Sequence, residues 1–513
     1  MSPRYDCIVV GGGTAGAVVA ARLAEDRGRR VLLLEAGDTP LGAPLPAELD
    51  AAGFPVLEGF NWPFEAQARD AGIGSTVMLP YPMARILGGG SAINGSVAMH
   101  ARPEDYARWA AAVDAGWGWE AMRPWRAAVD RIACDPAPAP EAEHEAASDL
   151  QRAFVEACAA RGFPRVDMRT DGAAGAGPAP HNMRDGRRRS TASLYLGDAA
   201  RAHGFLTVLN GREALRLLLA PGTGTIRATG VEVVGANGVE VHEARHIVLC
   251  AGAIGSPTVL ARSGIGPPGA LERAGVAVRL ALPGVGQGLR DHPAVSLWTR
   301  SEQRSAARAA SLHQGVLQFD SAGGASSCDL QLFALADVPA AHLPGVGAFG
   351  DETAVSGLSS VLANPESEGR LEFVGREGAL SSKIMLNLLG TDGDLDRMMA
   401  GVRLAWDLIA HAPLDGLMGR PMSCSQRVID ADDMLKRMLQ VTVRPSWHAV
   451  GTLRMGPESD AMAVVDGRGR IHGCDNVSVA DASLMPAIPR VPTNLSCMVI
   501  GERIAAHLRE HVG

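Results

Sequence analysis

Gly11, Gly13 and Gly16 stand in a Gly-x-Gly-x-x-Gly pattern, and Glu35 follows Gly16 by about 20 residues. These residue types at these spacings can hold a dinucleotide. Glycine at 11 permits a tight turn, glycine at 13 lets backbone approach a pyrophosphate, and glycine at 16 lets a helix lie close to a sheet. The N-terminus of the helix that follows presents free N–H groups and a positive dipole end to phosphates. A carboxylate at 35 can accept hydrogen bonds from an adenosine ribose and disfavours a 2′-phosphate, which argues against NADP. By itself the pattern serves NAD or FAD, and a glycine-rich turn without a ligand is its plain alternative.

The elements that must position these residues can be read around them. Cys7-Ile8-Val9-Val10 is a short apolar run suited to a buried parallel strand. Residues 17–24 read as a helix of small residues, and Val31-Leu32-Leu33-Leu34 as a second buried strand ending in Glu35. Together they form a βαβ unit. A second strand, turn and helix is expected where the apolar run 246–251 meets Gly252 and Ala253-Ile254-Gly255-Ser256-Pro257.

Other candidates are less decisive. Gly88-Gly89-Gly90-Ser91 makes a flexible loop running into a helix; it can bring amides to a planar or anionic group, or be a structural turn. Arg187-Arg188-Arg189 reads as a solvated face, or else as a docking point for an acidic substrate or partner. His448 beside Trp447, taken alone, reads as a hydrogen-bonded core histidine. The eight cysteines are scattered with no CxxC pair, so neither a zinc site nor a disulfide framework is indicated, and no metal is expected.

The whole chain sets bounds. Its 513 residues suffice for two or more domains, and 47% hydrophobic with 20% charged residues is ordinary for a globular protein. A net charge of −8 and a pI near 6.0 give no basic surface for nucleic acid. No apolar run reaches the roughly 18 residues of a membrane span. The first strand starts too early for a signal peptide, so a cytoplasmic protein is expected, with peripheral membrane attachment still open. Residues 38–55 read as an irregular loop or lid, 104–131 as tryptophan-rich helix, 136–140 as a stiff linker and 150–161 as helix. Residues 171–180 read as a small-residue loop. Residues 207–209 read as a strand, and 227–234 and 240–248 as paired strands. Residues 301–360 carry little secondary-structure signal, 371–389 read as strands and 395–411 as an amphipathic helix. Strands are expected at 464–466 and 473–480, and a terminal helix from about 492 to 508, with Asn494 as a plausible cap.

Five segments in order resemble the glucose–methanol–choline oxidoreductases, flavoproteins that carry FAD. They are VGGGTAGAVVAARL with LLLEAG, RILGGGSAINGSV, AGAIGSPTVLARSGIGP, LPGVGQGLRDHP, and WHAVGTLRMG with DNVSVADASLMPAIPRVPTNLSCMVIGERIA. The resemblance spans nearly the whole chain. It implies an α/β fold: a Rossmann-like FAD-binding domain from residues 1–110, 188–300 and 445–513, and a discontinuous α+β substrate domain with an antiparallel sheet from 111–187 and 301–444. It implies oxidation of a small-molecule alcohol, with hydride passing to flavin N5. His448 matches the family's general base and Asn494 its partner, and imidazole suits a proton acceptor near neutral pH.

The same resemblance implies the cofactor contacts. Gly11, Gly13, Thr14, Ala15, Gly16, Glu35 and Ala36 are expected at the ADP half. Gly88, Gly89, Ser91 and Asn94 are expected along the flavin, with Gly95 and Val97 close behind. Asp481 and Ala482 are expected near the pyrophosphate or ribityl chain, Thr493 near the isoalloxazine, and Ala214 on the adenine side. Trp62, Ala251 and Trp447 complete the set. No histidine stands in the loop 89–94, which implies non-covalent FAD. Electrons are expected to pass to a quinone, another carrier or O2, with a dehydrogenase of the bacterial choline-dehydrogenase-like group slightly preferred over an oxidase. Such proteins can serve peptide-derived redox cofactor systems or secondary-metabolite pathways. Redox-silent lyases and a light-driven decarboxylase also belong to the family, and a flavin-binding protein without turnover is the alternative from another class. Aromatic residues are only 4% of the chain, so no aromatic cage for a quaternary ammonium stands out.

Overall fold

The computed structural model of the chain describes residues 5–26, 28–50, 58–69, 77–133, 148–169, 174–197, 204–221, 225–300, 311–322, 328–340, 343, 354–376, 379–422 and 424–511. The run Tyr5–Val10 is strand β1, and Val31–Leu34 is strand β2. Helix α1, Thr14–Ala24, joins them and begins three residues earlier than its small-residue run suggests. Cys7 to Val10 and Val31 to Leu34 are buried, as strands covered on both faces must be. The parallel part of the sheet runs in the order Leu206–Leu209, β2, β1, Gly238–Leu249, Val477–Val479. Cys7 stands opposite both Val31 and His246. Strand Gly238–Leu249 is long enough for two tasks. Its first half pairs antiparallel with Ile226–Gly235, which pairs in turn with Glu213–Pro221.

The C-terminal helix Asn494–His511 closes this body by lying on α1. A Cβ at Gly501 would stand 3.0 Å from the Ala15 carbonyl oxygen, so the two helices meet backbone to backbone. Arg22 forks onto Glu502, with Nε and Nη2 each 2.8 Å from a carboxylate oxygen, and Tyr195 donates to the same group at 3.0 Å. Chain segments 480 residues apart are thereby locked around the glycine turn.

A second sheet of six strands is antiparallel throughout. Its order is Arg444–Pro445, Pro293–Arg300, Ala354–Leu362, Leu330–Pro339, His313–Phe319, Gly175–Pro178. Helix Asp392–Ile409 covers it, and Gly401 admits the approach: a Cβ there would lie 2.2 Å from Ser360 Oγ. This sheet corrects two expectations. Residues 175–178 are a strand, not loop, and the stretch 301–360 contains three strands among its described residues. Phe319, Leu330, Leu332 and Phe333 are buried together with Gln318 and Gln331, so these strands lack the alternation that betrays a half-exposed one. Pro293–Arg300 also belongs to this sheet, although the expected division counts it with the cofactor part.

The tryptophan-rich segment is helical with one interruption: Pro103–Ala112, a turn at Ala115–Trp117, then Trp119–Ala133. Two of its indoles tie it to the rest of the fold. Trp109 Nε1 donates to the Ala487 carbonyl at 2.8 Å and Trp117 Nε1 to the Gly467 carbonyl at 2.9 Å. The helix Asp149–Ala160, the strands Gly369–Arg376 and Ala379–Met385 and the helix Asp392–Ile409 match their expected places. In the expected strands near the C-terminus only Val477–Val479 is a strand; Val465 makes isolated bridges. The linker at 136–140 lies outside the described residues.

Candidate active site

The glycine turn is built as its spacing requires. Gly11 has φ +100°, and a Cβ at Gly16 would stand 1.9 Å from the Gly11 carbonyl oxygen, so both positions need glycine for the fold itself. Gly13 is different. A Cβ there would find nothing closer than 3.8 Å, so the protein does not need that space. Gly13 precedes α1, and no side chain caps the helix, which leaves the amides of its first turn, Thr14, Ala15 and Gly16, without intrahelical acceptors. Open space before an uncapped helix start fits a pyrophosphate.

Glu35 closes the turn from the end of β2. Its carboxylate accepts from Gly12 N at 2.8 Å and Gly37 N at 2.7 Å, and burial raises its pKa despite these bonds. Each oxygen retains lone-pair capacity for a further donor such as a ribose hydroxyl. Arg212 N donates to the Glu35 carbonyl, which brings the segment holding Ala214 beside Ala36. Trp62 stacks on Phe64 and lies under the Arg85 guanidinium. Ala251 touches the turn from the other side: a Cβ at Gly11 would stand 2.9 Å from its Cα.

The second glycine loop packs on the first. Gly88 N donates to the Gly12 carbonyl at 2.7 Å, and a Cβ at Gly89 would stand 2.5 Å from Gly13 Cα. Ser91 N donates to Thr14 Oγ1 at 3.1 Å, while Ser91 Oγ donates to the Gly88 carbonyl at 2.6 Å and accepts from Thr191 N at 2.9 Å. Asn94 Oδ1 accepts from Ser96 N at 3.0 Å and from Arg188 Nη1 at 2.7 Å. Arg188 also reaches Ser96 Oγ and the Leu49 carbonyl, and burial brings its pKa down to about 10. The basic run is therefore no uniform solvated face. Arg187 is exposed against Asp50, but Arg188 is buried beneath the loop. Gly95 backs onto the His313 ring, and Val97 bridges His181.

Asp481 is buried and its carboxylate is committed. It accepts from Gly252 N at 2.8 Å, Ser256 Oγ at 2.6 Å and Ser483 N at 2.8 Å, and from Ser483 Oγ as well. The expected nearness to a cofactor concerns its backbone neighbourhood, because the side chain organises the start of helix Gly252–Arg262. The Ala482 carbonyl takes Gly451 N at 3.2 Å and thereby reaches the loop that carries His448.

That loop is a bulge. Pro293 pairs with Pro445, and Arg290 and Val450 exchange backbone hydrogen bonds at 3.1 and 3.0 Å. Between these pairings Asp291 and His292 face the longer stretch from Ser446 to Ala449. The surplus chain is accommodated by Trp447, which has φ +59° and is 50% exposed. A non-glycine residue held there costs of order 1–3 kcal/mol and persists only where its surroundings hold it.

The bulge sets His448 against His292, with Nδ1 to Nδ1 at 2.9 Å. His292 Nε2 lies 2.9 Å from the Pro489 carbonyl oxygen. A carbonyl only accepts, so His292 Nε2 carries the proton. Burial lowers the His292 pKa to about 4, so the ring is neutral at pH 7 and its Nδ1 is a lone-pair acceptor. His448 must then donate from Nδ1, and its Nε2 carries the free pair. Burial, reinforced by His292 and His313, holds His448 well below the ordinary histidine value.

Thr493 supplies its carbonyl to Cys497 N, so Thr493 occupies the cap position and Asn494 begins the helix; Asn494 is not the cap. Its Oδ1 is buried without a hydrogen-bond partner, an orphan that a bound molecule would satisfy. Residues 485–490, which lead to it, are pinned by Trp109, by His292 and by Asp105, which accepts from Arg490 N at 3.1 Å. Site residues that the sequence did not single out individually are Tyr81, Asp291, His292, Arg188 and His313. Tyr81 lies just before the segment RILGGGSAINGSV, and Asp291 and His292 lie in LPGVGQGLRDHP; Arg188 was read only as part of a basic run, and nothing marked His313. Of metal-capable groups among the described residues, His507, Glu510 and His511 come together on the surface, beside the like charges of Arg468 and Arg470.

The sequence profile of GMC oxidoreductase matches residues 5–294 and 365–501. The 5-(hydroxymethyl)furfural oxidase of Methylovorus sp. (strain MP688) is 32% identical over 98% of each chain. The oxygen-dependent choline dehydrogenase of Xanthomonas axonopodis pv. citri (strain 306) is 31% identical, over 99% of this chain and 96% of that one. Among solved structures, pyridoxine 4-oxidase from Mesorbium loti superposes with a TM-score of 0.86 at 28% identity, covering 99% of this chain and 100% of that one. Among the described residues no helix is long and apolar enough to cross a membrane.

Proposed function

The chain belongs to the GMC oxidoreductase family, which binds FAD, and on that premise we propose that it oxidises a small-molecule alcohol to an aldehyde or ketone with His448 as general base. The observation that carries this reading is the tautomer of the histidine pair. The Pro489 carbonyl keeps the proton on His292 Nε2, His292 Nδ1 accepts from His448, and His448 Nε2 is left as the basic atom.

The residues that would hold FAD are those of the two glycine loops with Glu35, the amides opening α1, and the segments at Ala251 and Ala482. Bound there, FAD supplies the acceptor for the hydride leaving the carbinol carbon. The chain's part is the other proton. The substrate hydroxyl passes it to His448 Nε2, and the resulting imidazolium is stabilised through Nδ1–H by the lone pair of His292. Asn494 can donate from its amide to the same substrate oxygen without competing for the proton. A positioned base of this kind contributes roughly 10²–10⁴-fold. The cofactor is held without a covalent bond, because residues 89–94 contain no histidine. The likeness to the 5-(hydroxymethyl)furfural oxidase and the pyridoxine 4-oxidase favours O2 over a quinone or other carrier as electron acceptor. We divide the protein into a cofactor part and a substrate part, the latter built on the six-stranded sheet.

Anaerobic mixing of the yellow holoenzyme with a panel of primary and secondary alcohols tests this reading. At least one alcohol should bleach the flavin band, and admitting air should restore it within seconds. No bleaching by any alcohol would end the oxidoreductase reading, and reoxidation only with a quinone or dye would make the protein a dehydrogenase. Acid precipitation should release all the yellow colour to the supernatant; colour retained in the pellet would mean a covalent flavin.

A further inference from the structure

His448 is presented by a bulge with few bonds of its own. Ser446 N reaches the His292 carbonyl at 3.0 Å, but His448 N has no partner in the ladder. It donates instead to Asp291 Oδ1 at 2.9 Å. The same oxygen accepts from His292 N at 2.7 Å. Asp291 Oδ2 accepts from the Tyr81 hydroxyl at 2.6 Å. Tyr81 and Asp291 are both buried, and Tyr81 comes from a distant part of the chain, tied by its own N–H to the Phe64 carbonyl at 2.7 Å. One carboxylate thus grips the backbones of both histidines, and a third element holds the carboxylate. Without it the bulge keeps only the Ser446 bond and the Arg290–Val450 pair at its two ends, nothing holds the His448 backbone between them, and a shift there would part the two Nδ1 atoms.

Resting on the assignment of His448 as base, we propose that Asp291, braced by Tyr81, is a positioning residue for that base: its carboxylate fixes the bulge and so keeps His448 Nδ1 on His292 Nδ1. The groups that face the carboxylate are the Tyr81 phenol and the amides of Ser446, His292 and His448. Arg290, next in the chain, is taken by Glu368 and the Pro486 carbonyl.

The test uses holoenzyme carrying Tyr81→Phe, Asp291→Asn or Asp291→Ala. The Tyr81 hydrogen bond favours the ionised carboxylate, so its removal raises the Asp291 pKa. Tyr81→Phe should keep the flavin spectrum and move the acidic limb of the flavin-reduction rate to higher pH. Asp291→Ala should lower the limiting reduction rate by about tenfold or more with little change in the alcohol concentration for half-saturation, and Asp291→Asn, which keeps one acceptor oxygen, should recover part of the loss. A second readout needs no turnover. Diethyl pyrocarbonate followed by peptide mass mapping should modify His448 but spare His292 in the native protein, whose two ring nitrogens are both engaged. His292 should become reactive in Asp291→Ala and Asp291→Asn. An unmoved pH limb in Tyr81→Phe, or His292 still protected in a folded Asp291 variant, would overturn the proposal. Should no alcohol bleach the flavin, the base reading fails while the mapping still decides the clamp.

Discussion

His292 and His448 meet through like atoms, Nδ1 to Nδ1 at 2.9 Å, and only the Pro489 carbonyl on the far side of His292 decides which of them donates. That direction leaves the free lone pair on His448 Nε2, the atom proposed as the base. Replacing His448 with Ala should leave FAD content and spectrum intact and slow flavin reduction by roughly 10²–10⁴-fold, measured by anaerobic stopped flow. Reduction at the native rate would remove His448 from the chemistry.

His292 acts one step back, as the acceptor that orients His448 and stabilises its charged form. His292→Ala should therefore cost less, about tenfold in the same measurement, the worth of one buried hydrogen bond. The loss should fall on the limiting rate. A loss as large as that of His448→Ala would make His292 the base instead.

The glycines of the first loop separate into two kinds. Gly16→Ala drives a methyl group into the Gly11 carbonyl oxygen at 1.9 Å, so the variant should fail to fold or lose several kcal/mol. Gly13→Ala meets nothing within 3.8 Å, so the FAD-free protein should melt within about 0.5 kcal/mol of native stability. Its FAD affinity should nevertheless fall if the open space at Gly13 is where the proposed pyrophosphate lies. Thermal melts of stripped protein and a fluorescence titration with FAD check both. Unchanged affinity in Gly13→Ala would remove the pyrophosphate from that place.

Arg188 and Arg187 are neighbours with opposite fates. Arg188→Met abandons hydrogen bonds to Asn94, Ser96 and Leu49 under the flavin-side loop, and should cost about 1–3 kcal/mol and loosen FAD. Arg187→Met loses only an exposed pair with Asp50 and should stay within about 0.5 kcal/mol of native. Equal effects would show that the burial of Arg188 has no consequence.

The division between what could be read and what could not follows the range of each interaction. The turn from Gly11 to Gly16 and its acid at 35 lie within one βαβ unit, where local pattern and structure coincide. The grip of Asp291 on His448 joins residues 157 positions apart through sheet register, which no local pattern encodes. Arg188 looked like its two neighbours because burial is a tertiary property. Strands His313–Phe319 and Leu330–Pro339 were invisible for a related reason: residues pointing to both of their faces are buried, so the polar alternation that marks a strand is missing.

The electrostatics of the pair predict where activity ends on the acid side. A solvent-exposed histidine base would be half protonated near pH 6.5. Here burial lowers His292 to about 4 and puts His448 below its ordinary value, so the neutral, competent forms persist to lower pH. Asp291 has the opposite shift: burial raises it to about 6, against the pull of Tyr81 and the histidine amides. As pH falls, the first group to change charge is therefore the carboxylate that holds the bulge, and only then the imidazoles. The reduction rate should be level from pH 8 to about 7 and fall to half near 6, with the limb controlled by Asp291. An acidic limb centred near 6.5 that Tyr81→Phe leaves unmoved would mean that His448 titrates as a solvated histidine, and that the pairing with His292 does not exist in the working enzyme.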